Sequence, residues 1–310
     1  MLRRANQVKE PFIAVAETAD DIISVTDLSY RYSGQAQPAV AGVSFGVRRG
    51  EIFGLLGPSG AGKSTTQKVL TRQQRSFDGR VTIMGKPLGA WGSDYFERIG
   101  VGFELPNHYL KFTARENLAF FASLYARPSR DPREMMALVG LEDYADKKVE
   151  TFSKGMRMRL NFVRALQHDP ELIFLDEPTA GLDPVNAGIV KSLIAGLARA
   201  GKTVVLTTHN MNDVDQLCDR ISFMVDGRFA ALDTPDALKS AHGRRIVRVG
   251  TDSGASEEFP LDGLGDNTQF LALLRTGAVD RIHSQEASLD QVFTNVTGHR
   301  LDAAEAGPRP

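Results

Sequence analysis

Apolar and polar positions change their spacing several times along this chain, and each change marks an element. Through residues 22–47 they alternate one by one (Ile23-Ser24-Val25-Thr26, then Val43-Ser44-Phe45-Gly46-Val47). That is the period of strands, and the turn residues Ser33-Gly34 predict an antiparallel pair. The apolar run Ile52-Phe53-Gly54-Leu55-Leu56 predicts a short buried strand, followed by a helix over 64–70 and another strand over 79–85. Helical spacing governs 114–126, with Leu118, Phe121 and Leu124 apolar, and two further helices are expected near 132–139 and 155–167. Strand and helix then alternate: a strand at 172–175, a helix over 185–198, a strand at 203–207, and a strand pair at about 221–225 and 229–231. Such alternation predicts an α/β core with a mainly parallel sheet.

Beyond Ser240 the character changes. Short strands at 245–250 and 279–284 go with helices near 267–276 and 289–296, and the Gly- and Asp-rich stretch 251–265 is expected to be a connecting loop. The organisation predicted is a flexible extension over 1–20, a large domain over 21–240 and a small α+β unit over 241–300. A disordered tail over 301–310 follows. The large domain is expected to carry a helical part at about 95–168.

The first buried strand runs directly into Gly57-Pro58-Ser59-Gly60-Ala61-Gly62-Lys63-Ser64-Thr65, the spacing G-x-x-x-x-G-K-[ST] between strand and helix. Glycines let backbone N–H groups curl around phosphate oxygens, and the helix N-terminus adds partial positive charge. Lys63 is expected on the β- and γ-phosphates and the Ser64 hydroxyl on Mg²⁺, so the chain is expected to bind a nucleoside triphosphate. A second apolar run, Leu172-Ile173-Phe174-Leu175, ends in Asp176-Glu177-Pro178. Asp176 is placed to support Mg²⁺, Glu177 to orient and deprotonate an attacking water, and Pro178 to turn the chain away.

Composition narrows the setting. The 310 residues carry a net charge of −1, so no global basic field points to nucleic acid or an anionic membrane. A single cysteine, Cys218, excludes a disulfide framework within the chain and fits a reducing cytosol. Residues 1–20 lack the apolar segment of a signal peptide, and no apolar run reaches about 18 residues, so action at a membrane would need a partner that spans it.

The order of these motifs over residues 22–240 resembles the nucleotide-binding subunit of ABC transporters. The resemblance implies an ABC cassette: a P-loop NTPase with a RecA-like core, an antiparallel β subdomain and a helical subdomain, here with a C-terminal appendage. Phe152-Ser153-Lys154-Gly155-Met156 stands at the signature, where Leu-Ser-Gly-Gly-Gln is commonest. Ser153 and Gly155 are kept, and Lys154 and Met156 depart. A serine opening a helix offers a hydroxyl and free N–H groups to a phosphate. Ala180-Gly181-Leu182-Asp183-Pro184 resembles the loop that crosses the dimer interface, and His209 matches the histidine that contacts the γ-phosphate. Tyr32 falls where the family stacks an aromatic on adenine, although Tyr30 shares its face of the strand. Glu104, after Phe103, occupies the usual place of a glutamine; it would still offer oxygen to a metal, with a negative charge added near phosphates.

The resemblance further implies ATP and Mg²⁺ as ligands, with Glu177 as general base and His209 orienting water and γ-phosphate. It implies a second ATPase subunit, a homodimer being expected, whose signature completes each phosphate site. A separate permease would be docked around residues 112–125 and the Glu104 loop, on the cytoplasmic face of the membrane. Ser288-Leu289-Asp290-Gln291-Val292-Phe293 is similar to the tail of drug-export ATPases paired with type-2 permeases. An ABC ATPase acting on DNA or ribosomes is the competing reading; the missing coiled-coil insertion, the single cassette and the near-neutral charge count against it. A P-loop kinase would leave the signature, the interface loop and His209 unexplained.

Overall fold

The computed structural model describes residues 20–299 apart from 244, 253 and 286. The extension expected over 1–20 therefore lies almost wholly outside the described residues, and the tail over 301–310 lies entirely outside them. In chain order the elements begin with β1 (Asp21–Tyr30), β2 (Val40–Arg48), β3 (Ile52–Leu56), α1 (Lys63–Leu70), β4 (Asp78–Ile83), β5 (Lys86–Pro87) and β6 (Ile99–Gly102). Then come α2 (Ala114–Ala122), α3 (Pro132–Ala137), α4 (Lys154–Arg164), β7 (Leu172–Asp176), α5 (Pro184–Arg199), β8 (Thr203–Thr208) and α6 (Met211–Leu217). The chain closes with β9 (Arg220–Val225), β10 (Arg228–Asp233), α7 (Pro235–His242), β11 (Ile246–Thr251), β12 (Ser256–Pro260), α8 (Thr268–Arg275), β13 (Val279–Gln285) and α9 (Leu289–Thr297).

Three sheets result. A six-stranded sheet in the order β10-β9-β3-β8-β7-β6 forms the centre, parallel except for the β9–β10 edge pair. All five residues of β3 are buried, because this strand is covered on both faces. Ile52 and Leu56 face the larger apolar cluster with α4 and α5, while Phe53 and Leu55 face the cluster under β1, β2 and β4. The antiparallel pair expected at 22–47 is β1–β2, widened by β4 and β5 into a four-stranded sheet.

Three elements differ from what the sequence pattern predicts. Residues 99–102 are not helical-region chain but β6, the edge strand paired in parallel with β7, so the helical part begins at α2. The expected loop over 251–265 contains β12, which pairs antiparallel with β11. Its sequence, Ser-Glu-Glu-Phe-Pro, exposes every side chain except Phe259, as an edge strand does when only one face meets a core. Finally, α9 does not pack with the C-terminal sheet. Leu289, Val292 and Phe293 join the large cluster of the ATPase core, where the Phe293 and Phe223 rings meet edge to face at 5.3 Å. The small unit is β11, β12, β13 and α8, closed over Val247, Val249, Phe259 and Phe270. Among the described residues no helix is long and apolar enough to cross a membrane.

Candidate functional site

Because β3, β7 and β8 run parallel, their C-terminal ends gather at one edge of the central sheet, the usual place for a ligand in such a fold. The phosphate loop follows β3, Asp176 ends β7 with Glu177 just past it, and His209 follows β8. A cavity of about 320 Å³ opens there, lined by residues 59–65 together with Glu104, Asp176, Glu177, Ala180 and His209. Folding therefore brings together residues that the sequence spreads over 150 positions.

The loop is shaped by its glycines. Gly62 has φ +109° at the start of α1, and a Cβ there would run into the Ala39 carbonyl oxygen. Lys63 is buried and donates from Nζ to the carbonyl oxygens of Gly57 (2.6 Å) and Pro58 (3.1 Å), curling over its own loop. Burial pulls its pKa below the ordinary lysine value, and the carboxylates of Glu177, Asp176 and Glu104 oppose that shift. One ammonium thus sits in the field of three carboxylates.

Asp176 accepts from the Thr207 hydroxyl and, at 3.4 Å, from that of Ser64. Glu177 accepts from the Thr208 hydroxyl at 3.0 Å and stands 2.8 Å from Nδ1 of His209. Its backbone is left-handed at φ +49°, which turns the chain off β7 and re-aims the carboxylate. The Glu177 side chain is 12% exposed and that of His209 60%, so the pair has an inner carboxylate and a solvent-facing ring. Thr207 and Thr208 were missed by sequence reasoning. The available signal was two hydroxyls closing an otherwise apolar strand immediately before His209.

The other expected residues lie outside the cavity lining. The Tyr32 hydroxyl is 3.2 Å from the Thr65 hydroxyl, at the edge of the phosphate loop, whereas Tyr30 donates to Gln74 just past α1; the two rings meet edge to face at 4.9 Å. Ser153 caps α4 by accepting from the Met156 N–H at 3.2 Å. Its turn leans on the interface loop of the same chain: a Cβ at Gly181 would meet Lys154 Nζ at 2.9 Å, and one at Gly155 would touch Leu182. Asp183 caps α5, accepting from the N–H groups of Val185 and Asn186, and Val185 beside it is 75% exposed. Neither the signature nor Asp183 meets the phosphate cavity of its own chain.

Apolar side chains also crowd the surface near Glu104. Phe103, Leu105, Tyr109, Leu110, Phe112 and Phe120 are all exposed, and the Tyr109 ring packs on Phe112 and Phe120 at 5.3 and 5.0 Å.

A parallel sheet with a phosphate loop, a carboxylate pair and a histidine at one edge defines a P-loop ATPase of the ATP-binding-cassette class. The ABC transporter family model matches residues 40–180, and that of the fluoroquinolone efflux ABC transporter C-terminal domain matches 245–286, the span of β11 to β13. A fluoroquinolones export ATP-binding protein of Mycobacterium tuberculosis (strain H37Rv) is 55% identical over 293 residues, covering 93% of this chain and 97% of that protein. A Nod factor export ATP-binding protein I of Rhizobium meliloti (strain 1021) is 38% identical over 310 residues, 91% of this chain and 89% of that one. Among solved structures, the dimeric post-hydrolysis state of an ATP-binding cassette bound to ADP and Pi matches with a TM-score of 0.63 at 25% identity, over 68% of this chain and 98% of its own. The chain belongs to the ATP-binding subunits of ABC transporters and is the ATPase subunit of an exporter.

Proposed function

We propose that this chain works as one half of a head-to-tail pair of identical subunits, hydrolysing ATP at two shared sites to drive a separate permease on the cytoplasmic face of a membrane. The observation that carries this reading is the convergence of Lys63, Asp176, Glu177 and His209 on one cavity, with Ser153 and Asp183 of the same chain facing elsewhere. A signature turned away from its own cavity has its use on a second copy. Lys63 and the N–H groups of residues 60–65 would hold the β- and γ-phosphates, and Tyr32 would stack on the adenine. Glu177 would take the proton of the attacking water, with His209 holding the γ-phosphate side. Ser153 and Gly155 of the second copy would close on the phosphate from the opposite side.

The donors beside the phosphate loop are hard oxygens: the Ser64 hydroxyl, the Asp176 carboxylate and, on the cavity wall, Glu104. They fit Mg²⁺, which takes one or two carboxylates together with phosphate oxygens and water. Consistent with that habit, no group of three or more His, Cys, Asp or Glu side chains among the described residues is arranged to cage a metal. When bound, the ion neutralises charge on the phosphates.

The apolar patch around Leu105 and Phe112 would receive the permease. The similarity to fluoroquinolones export ATP-binding proteins, extending through the small C-terminal unit, supports a fluoroquinolone-like aromatic drug as the cargo class. The test is co-reconstitution with a separate six-helix permease in vesicles. ATP-dependent accumulation of a fluorescent fluoroquinolone, abolished by Glu177→Gln, is expected. Permease-independent ATPase with no accumulation contradicts the proposal.

A further inference from the structure

The strap 103–110 touches both functional surfaces. Glu104 lines the phosphate cavity, and Phe103, Leu105, Tyr109 and Leu110 belong to the exposed apolar patch. Side chains of other elements hold this strap by its backbone. From α4, Asn161 Nδ2 donates to the Phe103 carbonyl at 2.7 Å and Arg164 donates to the Asn107 carbonyl at 2.7 Å. In the reverse direction, His108 Nε2 donates to the Arg157 carbonyl at 3.1 Å. From α2, the fully buried Asn117 exchanges two bonds with the Tyr109 backbone, at 2.8 and 3.0 Å.

Arg164 is the unusual member. Only 7% exposed, it donates to Asn107 O and, at 2.6 Å, to Asn161 Oδ1, and its guanidinium lies 4.4 Å from the centre of the Phe121 ring. No carboxylate is among these partners. Burial accordingly pulls its pKa down, and an apolar side chain of similar volume would escape that desolvation cost. An apolar side chain would not, however, hold two acceptors with one rigid fork. The arrangement spends stability on fixing the strap to α4, the helix whose first turn is the signature.

We propose that Arg164, with Asn161, is a positioning latch that makes the permease-facing strap and the signature turn Ser153–Met156 move as one piece. This rests on the shared-site reading above, since only a signature engaged by a second copy would have a movement to transmit. The latch touches no nucleotide-lining side chain.

The test is amide hydrogen exchange of the full chain in the Glu177→Gln background, with and without Mg-ATP. With Arg164 present, ATP is expected to slow exchange at 153–157 and at 103–110 by about tenfold or more. Adding Arg164→Gln is expected to leave the slowing at 153–157 and cut that at 103–110 below about twofold, a split that a general loss of stability does not produce. Slowing of both segments in Arg164→Gln overturns the latch alone. No slowing at 153–157 with Arg164 intact overturns the shared-site reading and the latch with it. If Arg164→Gln fails to fold, Arg164→Lys, which keeps the charge but not the fork that holds two acceptors, takes its place; the same split supports the latch and joint slowing overturns it.

Discussion

Nδ1 of His209 lies 2.8 Å from one carboxylate oxygen of Glu177, while the Thr208 hydroxyl donates to the other at 3.0 Å. Both oxygens are therefore held by residues at or just past the end of β8, although Glu177 itself follows β7. The pairing of Asp176 with Thr207 across the two strands sets this geometry. As the proposed general base, a carboxylate fixed by two neighbours would meet its water without first reorganising, which is where preorganisation lowers a barrier.

Replacing that base should separate binding from turnover. Glu177→Gln keeps the size of the side chain and an oxygen for the Thr208 hydroxyl, so ATP affinity is expected to stay within about threefold while kcat falls about 10²–10⁴-fold. Equilibrium binding of a fluorescent ATP analogue and a phosphate-release assay measure the two quantities. Turnover near the wild-type rate would remove Glu177 from the role.

Glu104 adds a third carboxylate to the wall facing Lys63. Removing its charge with Glu104→Gln should lower repulsion toward the triphosphate and tighten ATP binding by about threefold to tenfold, since one solvent-screened charge pair is worth about 1 kcal/mol. It should also change the Mg²⁺ concentration for half-maximal activity. Unchanged values of both would show that Glu104 faces solvent rather than ligand.

His108 gives the fold a pH dependence of known sign. Burial pushes its pKa down to about 4, and Nδ1 has no hydrogen-bond partner among the described residues. An unfolded histidine titrates near 6.5, so between about pH 6.5 and 4 the unfolded chain binds a proton that the folded chain refuses. This contribution is complete above about 6.5 and is lost as pH falls, by about 2 kcal/mol between pH 7 and 5. Urea unfolding at the two pH values should show a loss that is smaller by about that amount in His108→Gln.

The parts of the site that depend on neighbours in sequence were legible, because the phosphate loop and the Asp176-Glu177 strand end each need only a run of apolar residues followed by particular side chains. What escaped was set by contacts between distant segments. Thr207 and Thr208 act through the register of β8 against β7. Strand β6 was obscured by Gly100 and Gly102, yet Gly100 is required there, since a Cβ would strike the Ala165 carbonyl just past α4. The apolar stripe of α9 predicts a helix with one buried face, but it would suit either core; only the fold assigns Phe293 to the ATPase cluster.

Sedimentation velocity of Glu177→Gln tests most directly whether the site is shared. A 33.9 kDa chain is expected to sediment as a monomer without nucleotide and as a dimer of twice that mass with Mg-ATP. Adding Ser153→Asp, which sets a carboxylate against the partner's phosphates, should return it to monomer while each chain still binds ATP. A Glu177→Gln chain saturated with Mg-ATP that remains monomeric, or a dimer indifferent to Ser153→Asp, would contradict a site assembled from two chains.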